Sequence, residues 1–409
     1  MENGFFSKKV TRREFCKLCV KGGIGIAVLP FAVDALRNPV NAAESKEGLG
    51  FIVSREALYY KKIDKNTVQC LLCPRSCVLK DGMRGFCRVR EPRGGKQYTL
   101  VYGNPTAVHV DPIEKKPLFH FLPGTSVFSI ATAGCNYRCK NCQNWQISQS
   151  GPEDTYNQSL PPEAVVDKTL QYKCPTIAYT YTEPAIFYEY MLDTAKAAKA
   201  LGIRNVLHSN GSLNAAPAEE LSLYLDGANI DLKGFTQDFY SKVPEGDLDT
   251  VLNTLKILRK NKVHLEITNL VIPTLNDDMK TIKEMCRWVV GELGCDTPLH
   301  FSRFHPTFKM KNLSPTSIKT LEEARDVART AGLNYVYIGN IPYHEAENTY
   351  CPKDGKVVIK RLGYQIIENH LSNGKCGFCG TEIPGVWDTT TPLHNGPVSL
   401  QRRGSAYLG

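Results

Sequence analysis

Residues 127–142 read VFSIATAGCNYRCKNC. The first seven form a short apolar run, the signature of a buried strand. A glycine follows, and then Cys135, Cys139 and Cys142 crowd into one turn. Apolar runs at 176–180, 205–209, 228–232, 263–272, 299–304 and 335–339 read as further strands. Between them, stretches at 162–172, 185–201, 248–261, 279–293 and 314–331 are amphipathic and helical in pattern. Strand and helix in alternation give a parallel sheet with helical crossovers, so the fold class is α/β, a partial or complete (β/α) barrel with Cys-rich appendages at both ends. In such sheets the chemistry gathers in loops at the C-terminal strand ends, where the cysteine turn falls.

The expected organisation is a leader at 1–45, a Cys-rich segment at 51–125, the barrel at 126–344, a Cys-rich segment at 345–390 and a tail at 391–409. The chain has 409 residues, of which 42% are hydrophobic and 22% charged, an ordinary globular balance. No run of 18 apolar residues occurs, which excludes a polytopic membrane protein. The net charge is +9, but residues 1–42 hold seven Lys/Arg against three Asp/Glu. The remaining +5 is diffuse and lacks basic runs interleaved with aromatics, which argues against nucleic acid as a partner.

Fifteen cysteines stand out. Ten fall in three groups: Cys70, Cys73, Cys77 and Cys87; Cys135, Cys139 and Cys142; and Cys351, Cys376 and Cys379. Spacings of two or three residues suit thiolates around a metal rather than a disulfide framework. Cys16 and Cys19 lie in the leader. Cys174, Cys286 and Cys295 stand alone and read as buried core thiols. His208 and His300 read as core residues within strands. Three thiolates in one turn can hold three irons of a cubane and leave the fourth iron open to a ligand. The alternative is a zinc ion that borrows a fourth ligand from elsewhere.

The triplet resembles that of the radical S-adenosylmethionine (SAM) superfamily, within it the pyruvate formate-lyase activating enzyme-like group. The similarity is greatest to the radical SAM enzyme of the AmmeMemoRadiSam system. It runs from about residue 55 to 390 and rests also on Cys73-Pro74-Arg75, residues 111–118, Tyr179 to Pro184, Asp231-Leu232-Lys233, residues 269–276 and residues 380–387. The resemblance implies a barrel of the radical SAM type and a 4Fe–4S cluster that reductively cleaves SAM to a 5′-deoxyadenosyl radical, which takes hydrogen from an unidentified substrate. Activation of a glycyl radical enzyme is one such role. It implies SAM contacts from Glu183, Asn210, Asp231, Lys233 and His305. It also implies an electron donor such as flavodoxin or ferredoxin, and Memo-type and AMMECR-type companions. Members usually carry an aromatic residue before the third cysteine, where this chain has Asn141. A rival reading is an iron–sulfur electron-transfer protein, which explains Glu183, Asp231 and Lys233 poorly.

Cys70, Cys73, Cys77 and Cys87 supply a complete thiolate set for either zinc or a second iron–sulfur cluster. Cys351, Asp354, Cys376 and Cys379 resemble a zinc ribbon in which aspartate replaces one cysteine. Thr11-Arg12-Arg13-Glu14-Phe15 and a mildly apolar run to Ala35 resemble a twin-arginine (Tat) signal. The leader points to export or membrane tethering, whereas SAM chemistry points to the cytoplasm.

Overall fold

The computed structural model describes residues 47–387. The leader, with its Tat-like motif, Cys16 and Cys19, and the tail lie outside the described residues. Among those described, no helix is long and apolar enough to cross a membrane.

Eight strands form the central sheet: β1 (Ala107–Pro112), β2 (Ser126–Ala131), β3 (Thr176–Tyr179), β4 (Arg204–Ser209), β5 (Gly227–Asp231), β6 (His264–Val271), β7 (Leu299–Arg303) and β8 (Val336–Gly339). They lie side by side in chain order. The ladders from β2 to β8 are all parallel. β1 runs antiparallel to β2 and comes from within the Cys-rich stretch at 51–125. β8 and β1 are the two edges of this sheet, so the barrel is partial.

Helices return the chain between strands: α1 (Pro162–Gln171), α2 (Tyr188–Ala200), α3 (Ala215–Ser222), α4 (Leu248–Lys260), α5 (Met279–Leu293) and α6 (Ile318–Thr330). α6 begins four residues later than its pattern suggests, because the Ser317 hydroxyl accepts the Thr320 amide at 3.0 Å and caps the first turn. Side chains alternate across each strand. The outward set includes Phe128, Ile130, Ile177, Leu207, Ile230, Ile267, Phe301 and Ile338, which are buried in one cluster with the helices. Each such side chain contributes about 1.5–3 kcal/mol by leaving water.

The inward set behaves differently. At the N-terminal strand ends Val127, Ala178 and Val206 pack with Ile113, Leu118, Phe121 and Leu122. Phe121 presses so closely on Gly227 that a Cβ there would meet its ring at 2.9 Å. The segment at 113–122 therefore plugs that end of the lumen. Higher up the inward positions turn polar: the Thr268 hydroxyl donates to Asn229 Oδ1 at 2.9 Å, and Asn229 Nδ2 to the Pro117 carbonyl at 2.7 Å.

The appendages are small antiparallel sheets. Arg90, in the N-terminal one, is buried against both carboxylate oxygens of Glu189 on α2 at 2.7 Å. Cys174 and Cys286 are buried as expected, but Cys295 is exposed in the turn after α5, beside Asn334. His300 is a core residue. His208 faces the lumen too but is only partly buried, with Nε2 3.4 Å from Asp231 Oδ1.

Candidate active site

The turn after β2 is built to pack without side chains at its first step. Gly134 has φ +95°, and a Cβ on it would meet the Cys87 carbonyl at 2.5 Å. Gly134→Ala is therefore expected to cost roughly 2–4 kcal/mol, combining left-handed strain with a backbone clash. A thermal melt showing a loss below about 0.5 kcal/mol would contradict this.

Beyond Gly134 the cysteine turn is held from two sides. Asn136 Nδ2 donates to the Ser212 carbonyl at 2.8 Å, and Asn210 Nδ2 donates to Asn136 Oδ1 at 2.9 Å. On the other side the amides of Arg138 and Lys140 donate to the carbonyls of Pro244 and Val243. Tyr137 is buried between Tyr240 and Gly246. The thiols receive donors of their own. The Tyr137 amide lies 3.3 Å from Cys135 Sγ, and the Ser148 hydroxyl 3.1 Å from Cys142 Sγ.

Asp231 and Lys233, at the end of β5, form an ion pair of 2.8 Å beside Cys139. Both are about a quarter exposed. Burial opposes the charge on Asp231, but Lys233 and His208 outweigh it and hold the carboxyl below its usual range. Glu183 is fully buried, and burial raises its pKa. Its Oε1 accepts the Ala185 amide at 3.0 Å and the Ser209 hydroxyl at 2.6 Å, and its Oε2 the Asn210 amide at 2.8 Å. Glu183 and Asn210 thus tie the loops after β3 and β4 to the cysteine turn. His305 lies in the exposed loop after β7, with Nε2 3.5 Å from the Asn340 carbonyl. That loop touches the cysteine turn through the Lys309 amide and the Lys140 carbonyl, 3.0 Å apart.

A further polar group has no sequence-level signal except the stretch at 111–118. By register with Val127 and Ser129, Asp111 and His109 face the lumen. Lys116 is buried, with Nζ 2.6 Å from Asp111 Oδ2, and burial lowers its pKa to about 8 despite that partner. The Tyr181 hydroxyl donates to the same carboxylate from a backbone at φ +63°. Such strain persists only where its surroundings enforce it. Here Asn144 Nδ2, just past the cysteine turn, grips the Tyr181 carbonyl at 2.7 Å.

Among the described residues, one set of ligand-type side chains draws together as closely as a single ion requires. Cys351, Asp354, Cys376 and Cys379 place their ligand atoms all within 4.8 Å of one another. Cys351 and Cys379 sulfurs are 3.6 Å apart, and Cys376 Sγ is 3.9 Å from Asp354 Oδ2.

Residues 129–288 match the family model of the Radical SAM superfamily. An uncharacterized protein of Methanocaldococcus jannaschii, MJ0808, is 46% identical over 331 residues, spanning 80% of this chain and 98% of that one. Similar solved structures include a radical SAM methyltransferase from Sphaerobacter thermophilus, with 12% identity, a TM-score of 0.44, and 76% of this chain and 82% of that chain covered. Another is a domain of a pyruvate-formate lyase-activating enzyme from Bacteroides vulgatus, with 16% identity, a TM-score of 0.36, and 40% and 98% covered. With its cysteine turn at the mouth of a partial barrel, the chain belongs to the radical SAM superfamily.

Proposed function

We propose that Cys135, Cys139 and Cys142 hold the 4Fe–4S cluster that the superfamily implies and offer its open iron to SAM at the mouth of the lumen. The observation that carries this is the placement of three thiols on one turn, beside the Asp231–Lys233 pair. Their surroundings fit the group: amide and hydroxyl donors reach Cys135 and Cys142 sulfurs, as cluster thiolates accept them. Once bound, cluster and SAM supply reductive cleavage to methionine and a 5′-deoxyadenosyl radical, which takes hydrogen from the substrate.

The protein's part is positioning. Lys233 offers a cation for the methionyl carboxylate, and Asp231 an acceptor for the amine or a ribose hydroxyl. Glu183 and Asn210 act as positioning residues, since their hydrogen bonds run to protein groups. His305 contributes a SAM contact from the rim. The hydrogen donor is a small molecule or a side chain narrow enough to enter the lumen, where Lys116, Asp111 and His208 favour a polar group.

Anaerobic reconstitution followed by dithionite and SAM should yield 5′-deoxyadenosine, and SAM should alter the cluster's electron paramagnetic resonance (EPR) spectrum. An unchanged spectrum and no cleavage in fully loaded protein would overturn the proposal in favour of an electron carrier. Lys233→Met should leave the iron content unchanged and weaken SAM binding by roughly 10–100-fold, the worth of a charged hydrogen bond. Equal SAM affinity in calorimetric titration would remove Lys233 from the site.

We further propose that the C-terminal set holds zinc. Tetrahedral sulfurs about 2.3 Å from zinc stand roughly 3.8 Å apart, close to the separation of Cys351 and Cys379. Asp354→Cys should retain one zinc, whereas Asp354→Ala should lose affinity by at least about tenfold in a chelator competition. Equal retention by the alanine variant would show that Asp354 is not a ligand.

A further inference from the structure

We infer that Cys70, Cys73, Cys77 and Cys87 hold a second iron–sulfur cluster, of the 4Fe–4S kind, that passes electrons to the Cys135 turn. The relay half of this rests on the function proposed above, but the cluster itself does not.

Zinc and a cubane ask different things of four thiols. Zinc needs four ligand atoms drawn in to tetrahedral contact, as at Cys351, Asp354, Cys376 and Cys379. A cubane is a body of eight atoms that keeps its four thiolates apart. The N-terminal thiols line one common cavity, and among the described residues they are not a set whose ligand atoms close to within 4.8 Å of one another. Each is near enough to the others for their charges to interact, so they form one set.

The wall of that cavity holds polar atoms without partners. Gln97 is fully buried, and neither its Nε2 nor its Oε1 has a hydrogen-bond partner. Arg90, buried to 1% exposure, leaves Nε unpaired. Both side chains line the cavity. Buried donors left unmade are costly, so natural proteins give them acceptors. The inorganic sulfides of a cluster are acceptors at that depth, and N–H groups to sulfur are a recognised way of setting its potential. Arg75 and Arg138, both stacked 3.8 Å from the Phe86 ring, lie close by.

The two thiol sets share a wall. Asn136, next to Cys135, lines the cavity. Gly134 rests on the Cys87 carbonyl. Arg138 donates to the carbonyls of Phe86 and Cys135, the latter at 3.0 Å, and Arg75 Nε to that of Asn136 at 3.2 Å. Cys70 and Cys87 are buried, whereas Cys73 and Cys77 are partly exposed. One side of the set therefore faces solvent and the other backs onto the cysteine turn, which is the layout of an electron entry point. In the relay, a low-potential one-electron carrier protein is oxidised by one electron as the outer cluster goes from 2+ to 1+. The outer cluster returns to 2+ as the same electron reduces the inner one. No proton or covalent bond moves in either transfer.

The test uses the full chain, reconstituted anaerobically with iron, sulfide and zinc present. With Cys135→Ala, Cys139→Ala and Cys142→Ala combined, about four irons and four sulfides should remain, with a dithionite-induced EPR signal that SAM leaves unchanged. About two zincs and no iron in that variant would overturn the inference. Should that variant not fold by circular dichroism, Cys73→Ser with Cys77→Ser answers the same question. Iron should fall from about eight to about four per chain, and an unaltered count would overturn it. For the relay, the rate of SAM cleavage driven by reduced flavodoxin, divided by the rate with dithionite, should fall at least about tenfold in Cys73→Ser, and an unchanged ratio would refute it. If wild type cleaves no SAM while the triple variant still holds iron, the proposed function fails and the second cluster stands.

Discussion

Alanine at Cys139 is expected to reduce 5′-deoxyadenosine formation to the protein-free level, a loss of at least about a thousandfold, because the cofactor supplies nearly all of the chemistry. The fold should persist. Cys139 shares its turn with Cys135 and Cys142, and its neighbours anchor the loop by backbone bonds to Pro244 and Val243 and by burial of Tyr137. None of these involves the Cys139 side chain. Iron should drop by about four per chain while circular dichroism stays unchanged. Product formation within tenfold of wild type would mean that the radical cluster is held elsewhere.

The parallel strands are legible because helix-facing positions alternate with lumen-facing ones in a simple code. Residues 228–232 read Ala-Asn-Ile-Asp-Leu, with Ala228, Ile230 and Leu232 against the core and Asn229 and Asp231 toward the lumen. Strand ends place Asp231 and Lys233 at the mouth without further information. β1 carries the same alternation, Val108 and Val110 against His109 and Asp111, and could have been found by it. Its lack of a following helix hides it among the cysteines. Gln97 and Arg90 give no local signal, since their meaning lies in the cavity they share with four distant thiols. Glu266 is illegible for a related reason: its partners Phe119, His120 and His300 lie up to 147 residues away.

That carboxylate carries the other large effect. Glu266 is fully buried on β6 and accepts the amides of Phe119 at 3.0 Å and His120 at 2.7 Å, with His264 at 3.0 Å and His300 at 2.7 Å. Burial opposes its charge, but His264 and His300 outweigh burial and hold the carboxyl below its usual range. Glu266→Ala strands two amides and two imidazoles, so a loss of roughly 3–5 kcal/mol is expected, read as a melting temperature lower by roughly 5–10 °C. The same network makes the docking of the C-terminal segment sensitive to acid. His120 donates from Nδ1 to the Pro384 carbonyl at 2.7 Å, so Nε2 must accept the Tyr337 hydroxyl at 2.6 Å. Tyr337 is 2.9 Å from the Thr349 hydroxyl, which accepts Arg361 at 2.7 Å. Burial lowers the His120 pKa to about 4. The unfolded chain takes up its proton near pH 6.5, so this stability is present above that value and is lost as pH falls toward 4, by up to about 3 kcal/mol. Glu266, depressed likewise, adds its own loss only below about pH 4.5. Protonation would turn Nε2 into a donor facing a tyrosine that needs an acceptor. Trp387, whose ring lies 5.4 Å from His120, reports the event by fluorescence. In the folded wild type its emission should change only as pH falls through about 4, and the change should be lost in Trp387→Phe. A melting temperature flat between pH 6.5 and 4, or an emission change centred near pH 6.5, would show that His120 titrates as it does in the unfolded chain.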